Sequence, residues 1–292
     1  MTEWLIVLGC AVLVLACFFV LVMIIDGNRF KVVSYELCSE KIKQSYRFVL
    51  LADLHDRSYG KNNEKLIAAI RKLQPDIVFM AGDMMTAKAG SSYTRALRLI
   101  RELRKDYPVY YGMGNHESRL DSRRQTYGQL WDIYEKELSE TGTVLLRNRG
   151  EAKGEELFIS GLEIDWRFYR HFKTEPMPPE YLRETLGRPD KGRYQILLAH
   201  NPDYFSDYAD WGADMVLAGH VHGGIMRLPL LGGVINPALR LFPKYDGGRF
   251  EAGEAVMVLS RGLGMHTLPV RIFNPGELVF IQLTPASQSE KH

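Results

Sequence analysis

Five short clusters along the chain carry the residue types that hold divalent cations: Asp53-Leu54-His55, Gly82-Asp83, Gly114-Asn115-His116-Glu117, His200-Asn201-Pro202 and Gly219-His220-Val221-His222. Carboxylates, an amide oxygen and imidazoles make a mixed oxygen and nitrogen shell of the kind that suits Mn, Fe, Zn, Ni or Mg, and no thiolate stands among them. Asp-x-His and Gly-Asp taken singly are common turn chemistry, and a lone histidine at a strand end is more often a packed or turn residue. Gly-Asn-His-Glu is more specific, and the ordered set of five is more specific still. The candidate ligands Asp53, His55, Asp83, Asn115, His200, His220 and His222 outnumber what one divalent ion takes. Two ions sharing a bridging carboxylate would use them all. Such pairs, roughly 3.5–4 Å apart, serve in-line displacement at phosphoesters, because a hydroxide bridging two cations has a lowered pKa.

Each cluster directly follows an apolar run of strand character: Tyr46 to Ala52, Ile77 to Ala81, Val109 to Gly112, Ile196 to Leu198 and Met215 to Leu217. Open α/β sheets place their chemistry at the carboxyl ends of strands. Alternation along an extended Gly219-His220-Val221-His222 would send both rings to one side. Helical spacing falls between the runs, at Asn63 to Leu73 with Pro75 as its stop, Tyr93 to Tyr107, Gln129 to Leu138 and Pro202 to Trp211. Further strands are expected at Val144 to Leu146, Leu157 to Gly161, Ala255 to Ser260 and Glu277 to Leu283, with a loop at Met177-Pro178-Pro179 and a frayed end from Ala286 to His292.

The 292 residues are 46% hydrophobic and 25% charged, ordinary for one large globular core with an appendage. A formal charge of +2 without a dense Lys/Arg run gives no indication of nucleic acid, and nothing indicates a protein partner. Trp4 to Ile25 is a run of 22 residues without a charge, long enough to cross a ~30 Å hydrocarbon core at ~1.5 Å per residue. It lacks the basic flank and small-residue cleavage site of a signal peptide, so a single membrane anchor is expected. Glu3 is the only charged side chain before it, whereas Arg29, Lys31, Lys41, Lys43 and Arg47 follow, which places the large domain on the cytoplasmic side of the cell membrane. Cys10 and Cys17 lie within the apolar run and Cys38 beyond it, so no disulfide framework is expected. The domains read as an anchor over 1–26, a juxtamembrane linker over 27–45, a catalytic domain over 46–284 and a tail over 285–292. On that reading a chain starting at Lys41 keeps the whole metal site. A tether from Asp26 to Ser45 reaches at most ~70 Å, which keeps the site near the bilayer and favours a substrate at the membrane surface.

The ordered pattern D-x-H, G-D, G-N-H-E, H, G-H-x-H resembles that of the calcineurin-like dinuclear metallophosphoesterases, and is met in full. The stretches HNPDYF, GADMVLAGHVHGG with RLP downstream, and SRGLG with LPVR and NPGEL resemble the bacterial membrane-associated YkuE-like branch, and the likeness covers Tyr46 to Leu283. The resemblance implies an α/β, four-layer metallophosphatase fold in which two mixed β-sheets pack face to face between helices, here with one N-terminal transmembrane helix. Carried over position by position, it puts Asp53, His55, Asp83 and His222 on one metal, with Asp83 bridging to a second held by Asn115, His200 and His220. His116 then falls beside the metals as general acid for the leaving alkoxide or as a stabiliser of transition-state charge. Glu117 stands either behind His116 or as a loop residue, and Arg57, Arg227 and Arg261 either meet the substrate's phosphate or are salt-bridged surface residues. His266 departs from the small residue expected there, and the substrate-binding residues stay open. The implied function is a membrane-anchored phosphodiesterase or pyrophosphatase that uses two divalent metal ions on a phosphoester, lipid-linked substrates included. The alternatives are a pyrophosphatase of the UDP-2,3-diacylglucosamine type and, from another class, a catalytically silent metal-binding membrane scaffold.

Overall fold

Most of the strands are apolar on both faces, so they require cover from both sides, and this requirement sorts the chain into layers. The computed structural model describes residues 2–169, 175–224, 226–228, 232–235, 241–265 and 270–286. One six-stranded sheet has the order β1 (Phe30–Ser39), β14 (Gly276–Pro285), β2 (Tyr46–Leu51), β3 (Ile77–Ala81), β4 (Val109–Gly112), β5 (Val144–Leu146). The other has the order β12 (Gly248–Ala252), β13 (Ala255–Leu259), β9 (Met215–Ala218), β8 (Tyr194–Ala199), β7 (Leu157–Leu162), β6 (Arg149–Lys153). Both are mixed: β14 meets β2 antiparallel, as β12 meets β13 and β6 meets β7, while β2, β3 and β4 are parallel neighbours, as are β8 and β9. A separate small hairpin joins β10 (Met226–Leu228) to β11 (Gly232–Ile235).

The inner faces interlock through Phe48, Leu50 and Phe79 of the first sheet against Ile196, Leu198 and Leu217 of the second. On the first sheet's outer face, Leu66 and Ile70 of α2 (Glu64–Leu73) and Leu97, Ile100 and Leu103 of α3 (Thr94–Arg104) cover Val49, Val78 and Met80. Helices α4 (Asn115–Ser122), α5 (Arg124–Tyr127) and α6 (Leu130–Glu140) follow in the chain, and Leu120 and Trp131 extend the same core. On the second sheet's outer face, Leu182 of α7 (Tyr181–Leu186) and Phe205 and Tyr208 of α8 (Phe205–Trp211) cover Leu197, Val216 and Met257. The result is the four-layer metallophosphatase architecture, helices outside and two sheets within.

Helix α1 (Thr2–Asn28) precedes this body and is apolar and long enough to cross a membrane, with no part of its apolar window buried against the protein. The stretch 27–45, read from sequence as a linker, instead supplies β1, which pairs in parallel with β14 over ten residues. Its mixture of Lys31 and Glu36 with Val32, Val33 and Leu37 is that of an edge strand with one wet side. Helices α4, α5 and α7 and strands β6, β10, β11 and β12 also lie outside the sequence-based expectation; they are short, and their periodicity is too brief to read.

Candidate metal centre

The five clusters follow β2, β3, β4, β8 and β9, the third running into α4, and hydrogen bonds stitch these segments together. Asp53 N–H donates to Gly82 O at 3.0 Å, His55 N–H to Asp83 O at 3.1 Å, and Gly219 N–H to His200 O at 3.1 Å. The Asp83 carboxylate accepts from His116 N–H at 2.8 Å, and both oxygens of Asp53 accept from His220 N–H at 3.1 Å. A side chain on Gly114 would collide with the Asp83 carboxylate, and one on Gly264 would collide with the Asp53 and Leu54 carbonyls. The turn SRGLG therefore closes on the first cluster.

Asp53 (φ 52°), His55 (50°), Asp83 (53°), His220 (76°) and His222 (53°) all have left-handed backbone. That conformation costs roughly 1–3 kcal/mol at a non-glycine residue and persists only where the surroundings impose it. It also corrects the expectation of an extended His220-Val221-His222. The segment is bent, and the two rings join different neighbours: His220 lies 5.2 Å from His200 and His222 lies 5.0 Å from His55, centroid to centroid.

Two groups of potential ligand atoms result, Asp53 with His55 and His222, and Asp83 with His200 and His220, each within 4.8 Å of one another; His55, Asp83 and His116 form a third. His55 Nε2 and His222 Nε2 stand 3.2 Å apart. His200 Nε2 is 3.1 Å from Asp83 Oδ2 and 3.7 Å from Asp53 Oδ1, and His222 Nε2 is 3.5 Å from Asp53 Oδ1. Asn115 is buried beside His116 at the start of α4, and its Oδ1 accepts no hydrogen bond among the described residues.

Ring hydrogen bonds decide which nitrogen faces the cluster. A carbonyl can only accept, so Nδ1 of His200, 2.6 Å from Ala81 O, and Nδ1 of His55, 3.2 Å from Met85 O, carry the proton. Both Nε2 lone pairs are thereby turned toward the cluster, as in metal-ligating histidines. His116 is wired the opposite way: its Nδ1 accepts from Ala87 N–H at 2.7 Å, so in the neutral ring the proton sits on Nε2, 3.9 Å from Asp83 Oδ2. Burial holds the His116 ring below its ordinary pKa. Burial pushes Asp53 up to about 7, while Asp83, which burial would also raise, is held well below the carboxylate range by the His200 and His116 imidazoles. His200, against the effect of its own burial, is raised to about 10 by Asp83 and Asp53. Divalent cations would displace such shared protons. Imidazole nitrogens that converge at 3.2 Å, a donorless buried amide oxygen and an all oxygen and nitrogen donor set fit such cations.

Glu117 is wholly buried behind the centre. It accepts from Asp83 N–H at 2.8 Å, Met84 N–H at 2.9 Å, Gly114 N–H at 3.1 Å and Tyr111 Oη–H at 2.7 Å, locking the loops after β3 and β4 together. Sequence reasoning did not single out Asn274 and Arg271. Asn274 Nδ2 donates to His222 O at 2.8 Å and Gly224 O at 2.7 Å, and buried Arg271 donates to the carbonyls of Gly262 and Gly264. Their only trace was membership of NPGEL and LPVR. Of the three candidate arginines, Arg227 pairs with Asp246 at 3.0 Å, Arg261 with buried Glu277 at 3.3 Å, and Arg57 donates to Gly27 O at the end of α1. His266 lies outside the described residues.

The calcineurin-like phosphoesterase family model matches residues 46–224, which hold all five clusters. Among curated proteins, the uncharacterized metallophosphoesterase YkuE of Bacillus subtilis is 26% identical over 245 residues, covering 82% of this chain and 79% of its own. YpbG of the same organism is 24% identical, covering 84% of each chain. The phosphodiesterase YaeI of Escherichia coli is 23% identical, covering 75% of each. With that match spanning more than half of its length, the chain belongs to the calcineurin-like phosphoesterases and is a metal-dependent phosphoester hydrolase.

Proposed function

We propose that this protein is a membrane-anchored dinuclear phosphodiesterase or pyrophosphatase whose catalytic domain faces the cytoplasm. One ion would be held by Asp53, His55, Asp83 and His222, and the other by Asp83, Asn115, His200 and His220. The observation that carries the reading is the opposite wiring of the imidazoles, with His55 and His200 presenting lone pairs and His116 presenting a proton. When bound, the ions supply an activated water and neutralise charge on the phosphoryl oxygens. His116 keeps its Nε2 proton at the edge of the cluster and delivers it to the departing oxygen, and Ala87 N–H fixes the ring for that transfer. Glu117 holds the Asp83 and Gly114 loops in register while this occurs. A groove of about 410 Å³, lined by His55, Thr86, Lys88, His116, Arg119 and Met265, gives the ester its approach. The side of the membrane is argued from the basic residues that follow α1, Arg29 and Lys31 foremost.

Elemental analysis of the purified full chain, with hydrolysis of bis(p-nitrophenyl) phosphate and a nucleotide pyrophosphate, tests the reading. About two ions per chain with turnover are expected, and Asp83→Asn should lose both metal and activity. One ion at saturation with full activity would overturn the dinuclear assignment, and two ions with no hydrolysis of any ester would favour the scaffold. Protease added outside intact cells should leave the domain whole.

A further inference from the structure

The end of α1 is built into the rim of the metal centre. Asp26, 1% exposed, accepts from Asn274 N–H at 3.0 Å, and Asn274 in turn holds the His222 and Gly224 carbonyls. Arg57, two residues beyond His55, donates to Gly27 O, and Met265, which lines the groove, is packed so closely against Gly27 that a side chain there would meet it. The neighbouring Phe273 ring packs against Phe18 and Phe19, with centroids 6.3 and 6.4 Å away. Phe18 lies two helical turns before Ile25, the last residue of the apolar run, which is ~10 Å along the axis at ~1.5 Å per residue. If the apolar run fills the hydrocarbon layer, Phe273 therefore reaches about 10 Å below its end.

The apolar margin continues away from the helix. Ile272 bridges to Met226 of β10, β10 pairs with β11, and Phe242 N–H donates to Val234 O of β11 at 2.9 Å. Along this line Phe273, Phe242 and Leu241 are 40%, 59% and 66% exposed. Exposed apolar side chains so grouped mark an interaction surface, and their continuity with an apolar helix specifies a lipid leaflet as the partner.

We propose that the rim formed by Phe273, Leu241 and Phe242 is immersed in the bilayer, and that the site takes a phosphodiester carried by a lipid, drawn at the level of the headgroups. The inference rests on the phosphodiesterase reading of the site and on α1 as a membrane span. Immersion aligns the groove with a leaflet-borne phosphate and leaves soluble esters to reach it only by diffusion.

The test uses the full chain loaded with Mn²⁺ in vesicles of phosphatidylcholine and phosphatidylglycerol. Flotation after an alkaline carbonate wash reads the span. A bimane label on Phe273→Cys, with the natural cysteines replaced by serine, reads immersion: lipids brominated along their chains should quench it at least twofold. Two nitrophenyl phosphodiesters read the substrate, bis(p-nitrophenyl) phosphate in solution and the p-nitrophenyl ester of a dioleoyl phosphatidic acid in the vesicles. The lipid-borne ester should show at least tenfold higher kcat/KM. The double variant Leu241→Ser, Phe242→Ser should lose that advantage about tenfold and keep soluble turnover within twofold. Flotation with an unquenched label would overturn immersion while leaving the span intact. Equal loss on both esters, or no loss on the lipid ester, would overturn the rim's role. If neither ester is hydrolysed by metal-loaded wild type, the phosphodiesterase reading fails and with it the lipid substrate, while quenching still decides immersion.

Discussion

Replacing Asn274 by alanine should weaken the fold and the metal centre together. Asn274 is fully buried, and its Nδ2 is the donor to His222 O at 2.8 Å and Gly224 O at 2.7 Å. Truncation leaves two buried carbonyls without that donor, at ~1–3 kcal/mol each, or about 2–6 kcal/mol in total. In a domain of this size each kcal/mol moves Tm by roughly 2–4 °C, so the metal-free protein should melt roughly 4–24 °C lower. The carbonyl of His222 is released at the same time, so the ring that meets His55 loses its fixed backbone, and losing such supporting contacts typically weakens metal affinity ~10–100-fold. Asn274→Asp separates the donors from the volume, because the carboxylate has nearly the same shape, turns acceptors toward both carbonyls and buries a charge. It should be at least as damaging as alanine. Thermal melting of metal-free protein by circular dichroism and calorimetric titration with Mn²⁺ measure the two effects. A metal-free Tm within 2 °C of wild type, or an aspartate variant that melts and binds normally, would refute the reasoning.

His116→Ala should keep both ions by elemental analysis yet slow alkyl phosphodiesters roughly 10²-fold or more and nitrophenyl esters less, since a good leaving group needs no proton; equal slowing of both would instead indicate charge stabilisation. A chain starting at Lys41 removes β1 and uncovers the full length of β14, so it should be insoluble or melt far below a chain starting at Arg29, whereas the linker reading requires the two to match. In metal-free protein Asp53 and Glu117 are both pushed up to about 7, so the folded state holds protons that the unfolded state has released above about pH 4, and stability should fall as pH rises from 4 to 7. His200, raised to about 10, extends the fall above its ordinary 6.5, and His116, lowered by burial, opposes it near neutrality. Saturating Mn²⁺ should reverse the slope because ions bind deprotonated ligands; melting curves at pH 5 to 8 with and without metal check both signs, and a flat metal-free profile would refute the charge assignment.

What the sequence determined alone is the part of the molecule governed by local rules. Apolar runs such as Ile77–Ala81, Val109–Gly112 and Val144–Leu146 have the length and composition of buried strands, and the helical spacing of α2 and α3 gives each one apolar face. The metal-binding residue types were legible because each sits just after such a run; the alternation gave strands and helices in turn, and the four-layer arrangement was what the family resemblance implied. Tertiary structure decided what depends on meetings between distant segments. Asn274 reaches His222 across 52 positions and Asp26 reaches Asn274 across 248, so no spacing rule could pair them. Asp53 holds the His220 N–H and Asn274 the His222 carbonyl of that left-handed loop, contacts from distant segments that alternation does not register. Strand β1 is held by its partner β14 at the far end of the chain, since an edge strand of mixed polarity has no burial pattern of its own. The join between α1 and the rim of the centre is likewise a contact between surfaces, and periodicity along one segment carries no information about where that segment lands.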